Sequence, residues 1–430
     1  MAEASRGGII KVAAAAAAGA TIEWYDFFVY GTAAALVFPK AFFPSSIGPF
    51  AAEIAAFSTF GVGFLVRPFG GVIFGHFGDR VGRKRALVAA LLVMGGATTL
   101  IGLLPGYSVL GILAPLLLVL LRCLQGIAIG GQWGGAALLA IETAPAGRRG
   151  FYGSFVQIGV PVGVVLANVA FLVVNAHLRP QAFEAWGWRL PFLFSLVLVG
   201  VGLYIQFRVE ESAEFQGGAM ERQPYRASPV LEVILSHPRE ILLAGGAFVA
   251  NNSCFYVAIT YVIAFGATNL HLARSVMLSG VMVANIVMVP ILILCGHLSD
   301  KWGRIGLFTA GAALTGLWGL AFFPLIETGS PVLIAVSITM EMALISLMYG
   351  PQAALFAELF PVRLRYSGAS LGYQLGSVVG GGFAPIIATF LLETFHSSFA
   401  IGIYMFATCA ISFCSILAIR RASRVPDQAA

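Results

Sequence analysis

Two carboxylates and two arginines lie inside long apolar stretches of the sequence. Glu23 and Asp26 are close together in the first stretch, whereas Arg67 and Arg122 lie in later ones. Residues three or four apart share a helix face, and Tyr30 extends that face by one more turn. Carboxylates held inside an apolar medium are candidate proton-binding groups, and a guanidinium can pair with them or bind an anionic ligand.

Composition indicates which elements position these groups. Of the 430 residues, 59% are hydrophobic and 10% are charged, and the mean hydropathy is +0.91. This is too apolar for a soluble domain, and runs of about 20 apolar residues, enough to cross a bilayer, recur along the chain. We expect spans near 10–38, 54–77, 86–105, 109–141, 152–176, 190–208, 241–268, 276–298, 306–326, 331–357, 368–392 and 397–419. The runs are too long for β-barrel strands, so the sequence predicts an all-α integral membrane fold with twelve transmembrane helices.

The distribution of positive charge predicts the orientation. Most of the 25 Lys and Arg residues fall on one side of the predicted spans, and Lys40, Arg179, Arg189 and Arg274 fall on the other. Short positively charged loops stay in the cytoplasm, so we expect both termini to be cytoplasmic. The net charge of +6 then needs no nucleic-acid partner.

An internal repeat divides the chain. The segment 75–83 reads GHFGDRVGR after the second span, and 296–304 reads GHLSDKWGR after the eighth. Glu142 and Glu358 stand at matching places further along each half. Repeats of this kind build transporters from two bundles with the solute site between them. We expect a six-helix bundle over 1–208, a linker over 209–239 that reaches Arg239, and a second six-helix bundle over 240–430.

The loop from Gly75 to Lys84 matches the G-x-x-x-D-R-x-G-R-[KR] signature of the major facilitator superfamily, which this chain resembles. Five further stretches are similar to the metabolite:proton symporter family of that superfamily, and the segment 229–239 looks closest to its shikimate-permease branch. These stretches are Glu23–Phe27, Arg67–Gly71, Arg122–Gly126, Gly130–Gly135 and Trp186–Phe192.

The resemblance implies a secondary active transporter. It would import a small polar solute, such as shikimate or alpha-ketoglutarate, by proton symport with alternating access. Its partners would be the solute, protons and the lipid of a bacterial cytoplasmic membrane, with no nucleic acid, and the protein would be a monomer. No cofactor, metal or catalytic residue is expected.

Three sets of residues are candidates for these tasks. The proton-coupling set is Asp26, Glu23 and Arg122. The solute-binding set is Arg67, Arg122, Tyr30, Gln132, Gln157, Asn252, Tyr256, Tyr373 and Gln374. The gating set is Gly75, Asp79, Arg80, Gly82, Arg83, Glu142, Asp300, Arg304 and Glu358.

The gating set is expected to work by hydrogen bonds and ion pairs at one membrane face. Asp79 can accept hydrogen bonds from the N-terminus of the eleventh helix, which the family resemblance indicates as its partner. Arg83 would pair with Glu142, and Arg304 with Glu358 in the second half. The alternative is that these charges only set the topology.

Several alternatives stay open. The family usually has glutamate where this chain has Gln132, so a proton-independent facilitator is one alternative. A transporter of zwitterionic osmolytes is another, and a solute sensor that does not transport is a remote one. The sequence assigns no role to Glu341, and it shows no Ser-His-Asp, metal-ligand or phosphate-loop pattern that would indicate an enzyme.

Overall fold

The computed structural model of the chain consists of helices joined by short connections. It describes residues 6–81, 83–130, 141, 144–145, 147–208, 229–361 and 364–422, with the side chains left undescribed at 6–17, 75–84, 86–87, 205–208, 229 and 422. No strand occurs over these ranges.

Twelve long helices, α1 to α12, follow one another along the chain, some in two or three segments. Their bounds are α1 Arg6–Leu36, α2 Gly48–Leu65 and Arg67–Val81, α3 Arg83–Leu103, α4 Leu113–Gly130, α5 Arg149–Gln157 and Gly159–His177, α6 Leu190–Arg208, α7 Pro238–Tyr256 with Val257–Tyr261 and Val262–Thr268, α8 Arg274–Trp302, α9 Arg304–Ile326, α10 Pro331–Glu358, α11 Arg365–Gly376 with Ser377–Gly382 and Ala384–Phe395, and α12 Phe399–Ala422. Short helices occupy Phe38–Ala41, Ser45–Ile47, Tyr107–Leu110, Pro180–Ala185, Gly187–Arg189 and Pro229–Ser236.

The helices agree with the spans expected from the apolar runs. Over the described ranges, ten helical stretches are long and apolar enough to cross a membrane, and α3 contributes a shorter apolar stretch, Val88–Leu103. Large apolar side chains point outward, with Leu196 and Leu242 each 65% exposed. An apolar exterior of this extent is what a lipid-facing surface requires.

The two halves, α1–α6 and α7–α12, meet along three pairs of helices. Helix α5 packs on α8, α2 packs on α11, and α1 packs on α7. The middle segments of α7 and α11, Val257–Tyr261 and Ser377–Gly382, are π-helical, and the second of them lies against α2. Single π-helical turns inside long helices are rare and cluster at functional sites.

Glycines fix the contact between α2 and α4. A Cβ atom at Gly126 would lie 2.3 Å from the carbonyl oxygen of Gly63, and one at Gly130 would lie 1.9 Å from that of Arg67. The backbones are in contact here, as small residues at helix crossings in membranes permit. This contact sets the separation of the helices that hold Arg67 and Arg122.

The close contact gives a first prediction, for Gly126→Ala. The new methyl group meets backbone that cannot rotate away, so we expect a clearly lower thermal unfolding temperature in detergent. Gly96→Ala in α3 is the matched control because nothing lies within 4 Å of a Cβ atom there. Alanine also has the higher helix propensity, so the control should unfold at or above the wild-type temperature. Equal behaviour of the two variants would show that the α2–α4 contact does not constrain the fold.

Candidate functional site at the junction of the halves

A small cavity lies between the halves. Its volume is about 20 Å³, which is close to the space of a single water molecule and far below that of a ligand pocket. The wall from α1 and α5 is apolar, and the wall from α7, α10 and α11 bears amide and phenol groups. The lining residues are Trp24, Val160, Phe248, Asn251, Asn252, Phe255, Tyr256, Ile345, Tyr349 and Tyr373. The structure therefore shows the halves closed over the centre.

Arg67 of α2 lies beside two residues of the cavity wall, Trp24 and Tyr256. Pro68 follows it, and α2 is interrupted just before it, at Val66. Because proline lacks an N–H group and disfavours helical geometry in the residue before it, the interruption follows from the sequence. Arg67 is 2% exposed, and its Nε and Nη2 atoms have no hydrogen-bond partner among the described residues.

Aromatic rings surround the Arg67 guanidinium. Its Cζ atom lies 4.1 Å from the ring centre of Phe64, 4.4 Å from that of Phe27 and 5.5 Å from that of Trp24. Cation–π attraction offsets part of the cost of burying the charge. The phenol of Tyr256 in α7 lies beside the same guanidinium. Arg67 thus projects from the N-terminal half toward polar groups of the C-terminal half.

Arg122 in α4 lies deeper in the N-terminal half. Its Cζ atom is 4.1 Å from the ring centre of Phe27 and 4.2 Å from that of Tyr30, and it donates a hydrogen bond to Gln125 Oε1 at 3.0 Å. Gln125 donates in turn to Thr98 Oγ1 at 2.8 Å. The side chain is fully buried, with Nε and Nη2 lacking partners.

The two carboxylates of α1 face different neighbours. Glu23 lies on the side of Arg67, whereas Asp26 lies beside the hydroxyls of Thr98 in α3 and Ser195 in α6. Neither carboxylate forms an ion pair within the described part of the chain, and both Asp26 oxygens lack a hydrogen-bond partner. No ion pair of Glu23 or Asp26 with Arg67 or Arg122 is therefore present among the described residues.

The remaining solute-binding candidates differ in their surroundings. Asn252, Tyr256 and Tyr373 line the cavity. Tyr30 instead donates to Thr59 Oγ1 at 2.6 Å, and Gln374 Nε2 donates across the halves to the Gly130 carbonyl at 3.3 Å. Gln157 is buried in α5. Gln132 lies outside the described residues.

One end of the closed interface is bridged through Asp300 in α8. Its carboxylate accepts hydrogen bonds from the backbone N–H groups of Gly150 at 2.8 Å and Phe151 at 2.9 Å, at the N-terminus of α5. A helix N-terminus favours a negative charge through its dipole and its free N–H groups. Arg304 forms ion pairs with both Asp300 and Glu358. The pair with Glu358 is the one expected within the second half.

We name Asp300, Arg304, Glu358 and the start of α5 the repeat-motif latch. Its counterpart in the first half falls on Gly82 and Glu142, which lie outside the described residues, and on Gly75, Asp79, Arg80 and Arg83, whose side chains are not described.

The opposite end is bridged by residues that the sequence analysis did not single out as a site. Glu184, in the short helix Pro180–Ala185, accepts a hydrogen bond from Arg274 at the start of α8, and Lys40 Nζ lies 3.5 Å from its Oε1. Nearby, Thr389 Oγ1 in α11 lies 3.3 Å from Glu53 Oε1 in α2. We name Lys40, Glu184 and Arg274 the Glu184 latch. The signal available in the sequence was the scarcity of charge on that side.

Two bundles of apolar helices that enclose a polar centre are the architecture of a membrane transporter. The profile of the Major Facilitator Superfamily matches residues 16–385. The chain belongs to this superfamily and is a multi-pass membrane transporter rather than an enzyme.

Relatives match nearly the whole chain. The inner membrane metabolite transport protein YhjE of Escherichia coli is 42% identical over 95% of this chain and 93% of its own. The shikimate transporter of the same organism is 41% identical with the same coverage. The glycine betaine/proline/ectoine/pipecolic acid transporter OusA of Dickeya dadantii is 32% identical over 98% of this chain and 85% of its own. These names describe metabolite transporters.

Solved structures confirm the twelve-helix fold. The crystal structure of a D-xylose-proton symporter superposes with a TM-score of 0.74 at 18% sequence identity, and covers 95% of this chain and 96% of its own. At this identity the similarity establishes the fold alone.

The Glu184 latch gives a second prediction. Partial burial opposes ionisation of Glu184, but the hydrogen bond from Arg274 and the charge of Lys40 outweigh it and lower the pKa of this carboxyl from its ordinary value of 4.5. A lowered pKa stabilises the latched state at pH values above 4.5, and this contribution is lost as the pH falls through the lowered value. Arg274→Gln and Glu184→Gln should open this end at neutral pH.

The measurement is the distance distribution between spin labels at the exposed positions Ser46 and Asn269, in a cysteine-free background. Both variants should lengthen it, as should acidification of the otherwise unmodified protein. Lys40→Gln is the control, because Lys40 belongs to the same half as Glu184 and its loss removes no contact between the halves. Lys40 is also 76% exposed, and such ion pairs contribute about 0–1 kcal/mol. An unchanged distance in Arg274→Gln would refute the latch.

Proposed function

We propose that this protein imports a small hydroxylated carboxylate, with shikimate as the leading candidate, by proton symport across a bacterial inner membrane. The observation that supports this most directly is Arg67. A guanidinium that is buried, incompletely hydrogen-bonded among the described residues and adjacent to Trp24 and Tyr256 of the cavity wall can bind an anion.

Arg67 suits a carboxylate in particular. The guanidinium presents its N–H groups in a plane, which matches the two oxygens of a carboxylate. The three rings around it exclude water and fix its position, so a solute anion would find the donors already oriented. The 41% identity to a shikimate transporter supports the same class of solute.

The opposite wall suits hydroxyl groups on the solute. Asn251 and Asn252 present amide groups, and Tyr256, Tyr349 and Tyr373 present phenols. Asn251 Oδ1 is buried without a hydrogen-bond partner among the described residues, and a hydroxyl group of the solute can supply one. A solute held by Arg67 on one half and by these groups on the other would draw the halves together. The small cavity of the present conformation must therefore widen before the solute enters.

Proton coupling is assigned to the carboxylates of α1. An ionised group in the bilayer costs at least about 2.5 kcal/mol on insertion scales, so Glu23 and Asp26 favour a proton in the closed conformation, in which neither has an ion-pair partner. Movement of α1 relative to α2 and α4 would bring Arg67 or Arg122 closer and release the proton. The solute anion and its proton would then cross together.

The two latches provide the alternation. Access from the cytoplasm requires rupture of the repeat-motif latch, and access from outside requires rupture of the Glu184 latch, given the orientation that the positive charges predict. Both are closed in this structure, which corresponds to an occluded intermediate. A facilitator that uses the same latches without protons is the second candidate, favoured by Gln132 in place of the family glutamate.

The test is uptake of radiolabelled shikimate into proteoliposomes, with and without an imposed inward proton gradient. We expect accumulation above equilibrium only with the gradient, and loss of that accumulation in Glu23→Gln or Asp26→Asn. Glu393→Gln is the control, since Glu393 is exposed at the end of α11. Equilibration that ignores the gradient would indicate the facilitator, and absence of uptake would refute shikimate as the solute.

A further inference from the structure

Glu341 in α10 is a buried carboxylate with no part in the proposed symport. Its side chain is 0% exposed, and within the described part of the chain neither of its oxygens has a hydrogen-bond partner. Across the described ranges, no Lys, Arg or His forms an ion pair with it. An uncompensated buried charge costs several kcal/mol, so this group favours a proton in the closed conformation.

The surroundings of Glu341 are polar but uncharged. The thiol of Cys254 in α7 lies beside the carboxyl, and its Sγ atom is 3.7 Å from Cys409 Sγ in α12. The hydroxyl of Thr408 and the phenol of Tyr404 reach the same thiol from α12. None of these groups supplies a positive charge. Such an arrangement tolerates the neutral acid and penalises the anion.

Glu341 is aligned with the central cavity. Glu341, Ile345 and Tyr349 follow one another at four-residue spacing and therefore share one face of α10. Ile345 and Tyr349 both line the cavity, and one such step advances about 6 Å along the helix axis. The carboxyl thus lies one turn beyond the cavity wall.

The neighbouring helix can change this environment. Cys254 lies at the end of the regular part of α7, three residues before the π-helical segment Val257–Tyr261. A rearrangement of that turn would move Cys254 relative to α10 and expose the carboxyl to the cavity. Helix α10 contains Pro351, two residues after Tyr349.

We propose that Glu341 is a second proton-binding site, located in the C-terminal half. Its carboxylate takes up one proton to become the neutral acid when the cavity is open to the outside, and returns that proton when the cavity opens to the cytoplasm. No other bond is made or broken. This inference rests on the proposed symport and adds a proton to it, so that two protons accompany each solute anion.

The first test is the accumulation ratio of radiolabelled shikimate in proteoliposomes whose membrane potential is clamped at zero. With two protons per solute, the ratio should rise about 100-fold for each unit of pH gradient, and in Glu341→Gln it should rise about 10-fold. Glu341→Asp retains the acid and should restore the wild-type slope. Equal slopes for the wild type and Glu341→Gln would overturn the proposal.

Replacing sodium by potassium should leave both slopes unchanged. A sodium requirement that disappears in Glu341→Gln would instead identify a sodium site and overturn the assignment to a proton.

The second test does not depend on the solute. Infrared difference spectra between acidic and alkaline pH should show the carbonyl stretch of a protonated carboxylic acid that is missing in Glu341→Gln. Cys254→Ser should shift this band, because a hydroxyl is the stronger hydrogen-bond donor. If the difference spectra contain no such band that depends on Glu341, the carboxyl keeps one protonation state at both pH values, and the site is refuted. If the wild type fails to accumulate shikimate, the proposed function fails while the spectra still decide the role of Glu341.

Discussion

The architecture depends on the cost of placing charge where water and counter-ions are absent. Among the described residues, no carboxylate lies within ion-pair distance of Arg67 or Arg122, which are buried in the N-terminal half, and aromatic rings take the place of that partner. Rings stabilise a guanidinium less than an ion pair with good geometry does. The arrangement leaves donor capacity unused at the centre of the molecule. In the proposed function, a solute anion would pair with the arginine. The proton that accompanies it would offset the negative charge that the apolar interior of the bilayer disfavours.

The backbone is tightly packed around the two arginines and irregular in the helices of the C-terminal half. Gly126 and Gly130 bring α4 into contact with α2, so the two arginines are held on helices that cannot separate without loss of packing. The C-terminal half differs, since α7 and α11 each contain a π-helical segment facing the interface. The N-terminal half, which holds the arginines, is thus the rigid one. The C-terminal half, which holds the phenols and amides, has irregular helices and can close on a solute bound to the N-terminal half.

The sequence predicts much of the fold because lipid imposes simple rules. Span length follows from bilayer thickness, and the internal repeat anticipated the pairing of Arg304 with Glu358. The helix-terminus contact proposed for Asp79 is observed for its repeat counterpart Asp300, on α5 rather than α11, as the two-fold relation of the halves requires.

Other features depend on distances that spacing along the chain does not give. The three-residue spacing of Glu23 and Asp26 indicates a shared face, yet one carboxylate lies toward Arg67 and the other toward α3 and α6. The Glu184 latch joins three separate connections, so no local pattern reveals it. The isolation of Glu341 is likewise visible only after α7, α10 and α12 are packed together.

The central claim is that Arg67 recognises the carboxylate of the solute, and the most direct measurement is calorimetric binding of shikimate and of its uncharged methyl ester to the purified protein. Hydrogen bonds to charged groups contribute about 1.5–3 kcal/mol, so the account predicts that the ester binds at least about tenfold more weakly. It also predicts that Arg67→Gln binds both compounds equally weakly. Equal affinity for acid and ester in the wild type, or a preference for the acid that survives in Arg67→Gln, would contradict the account.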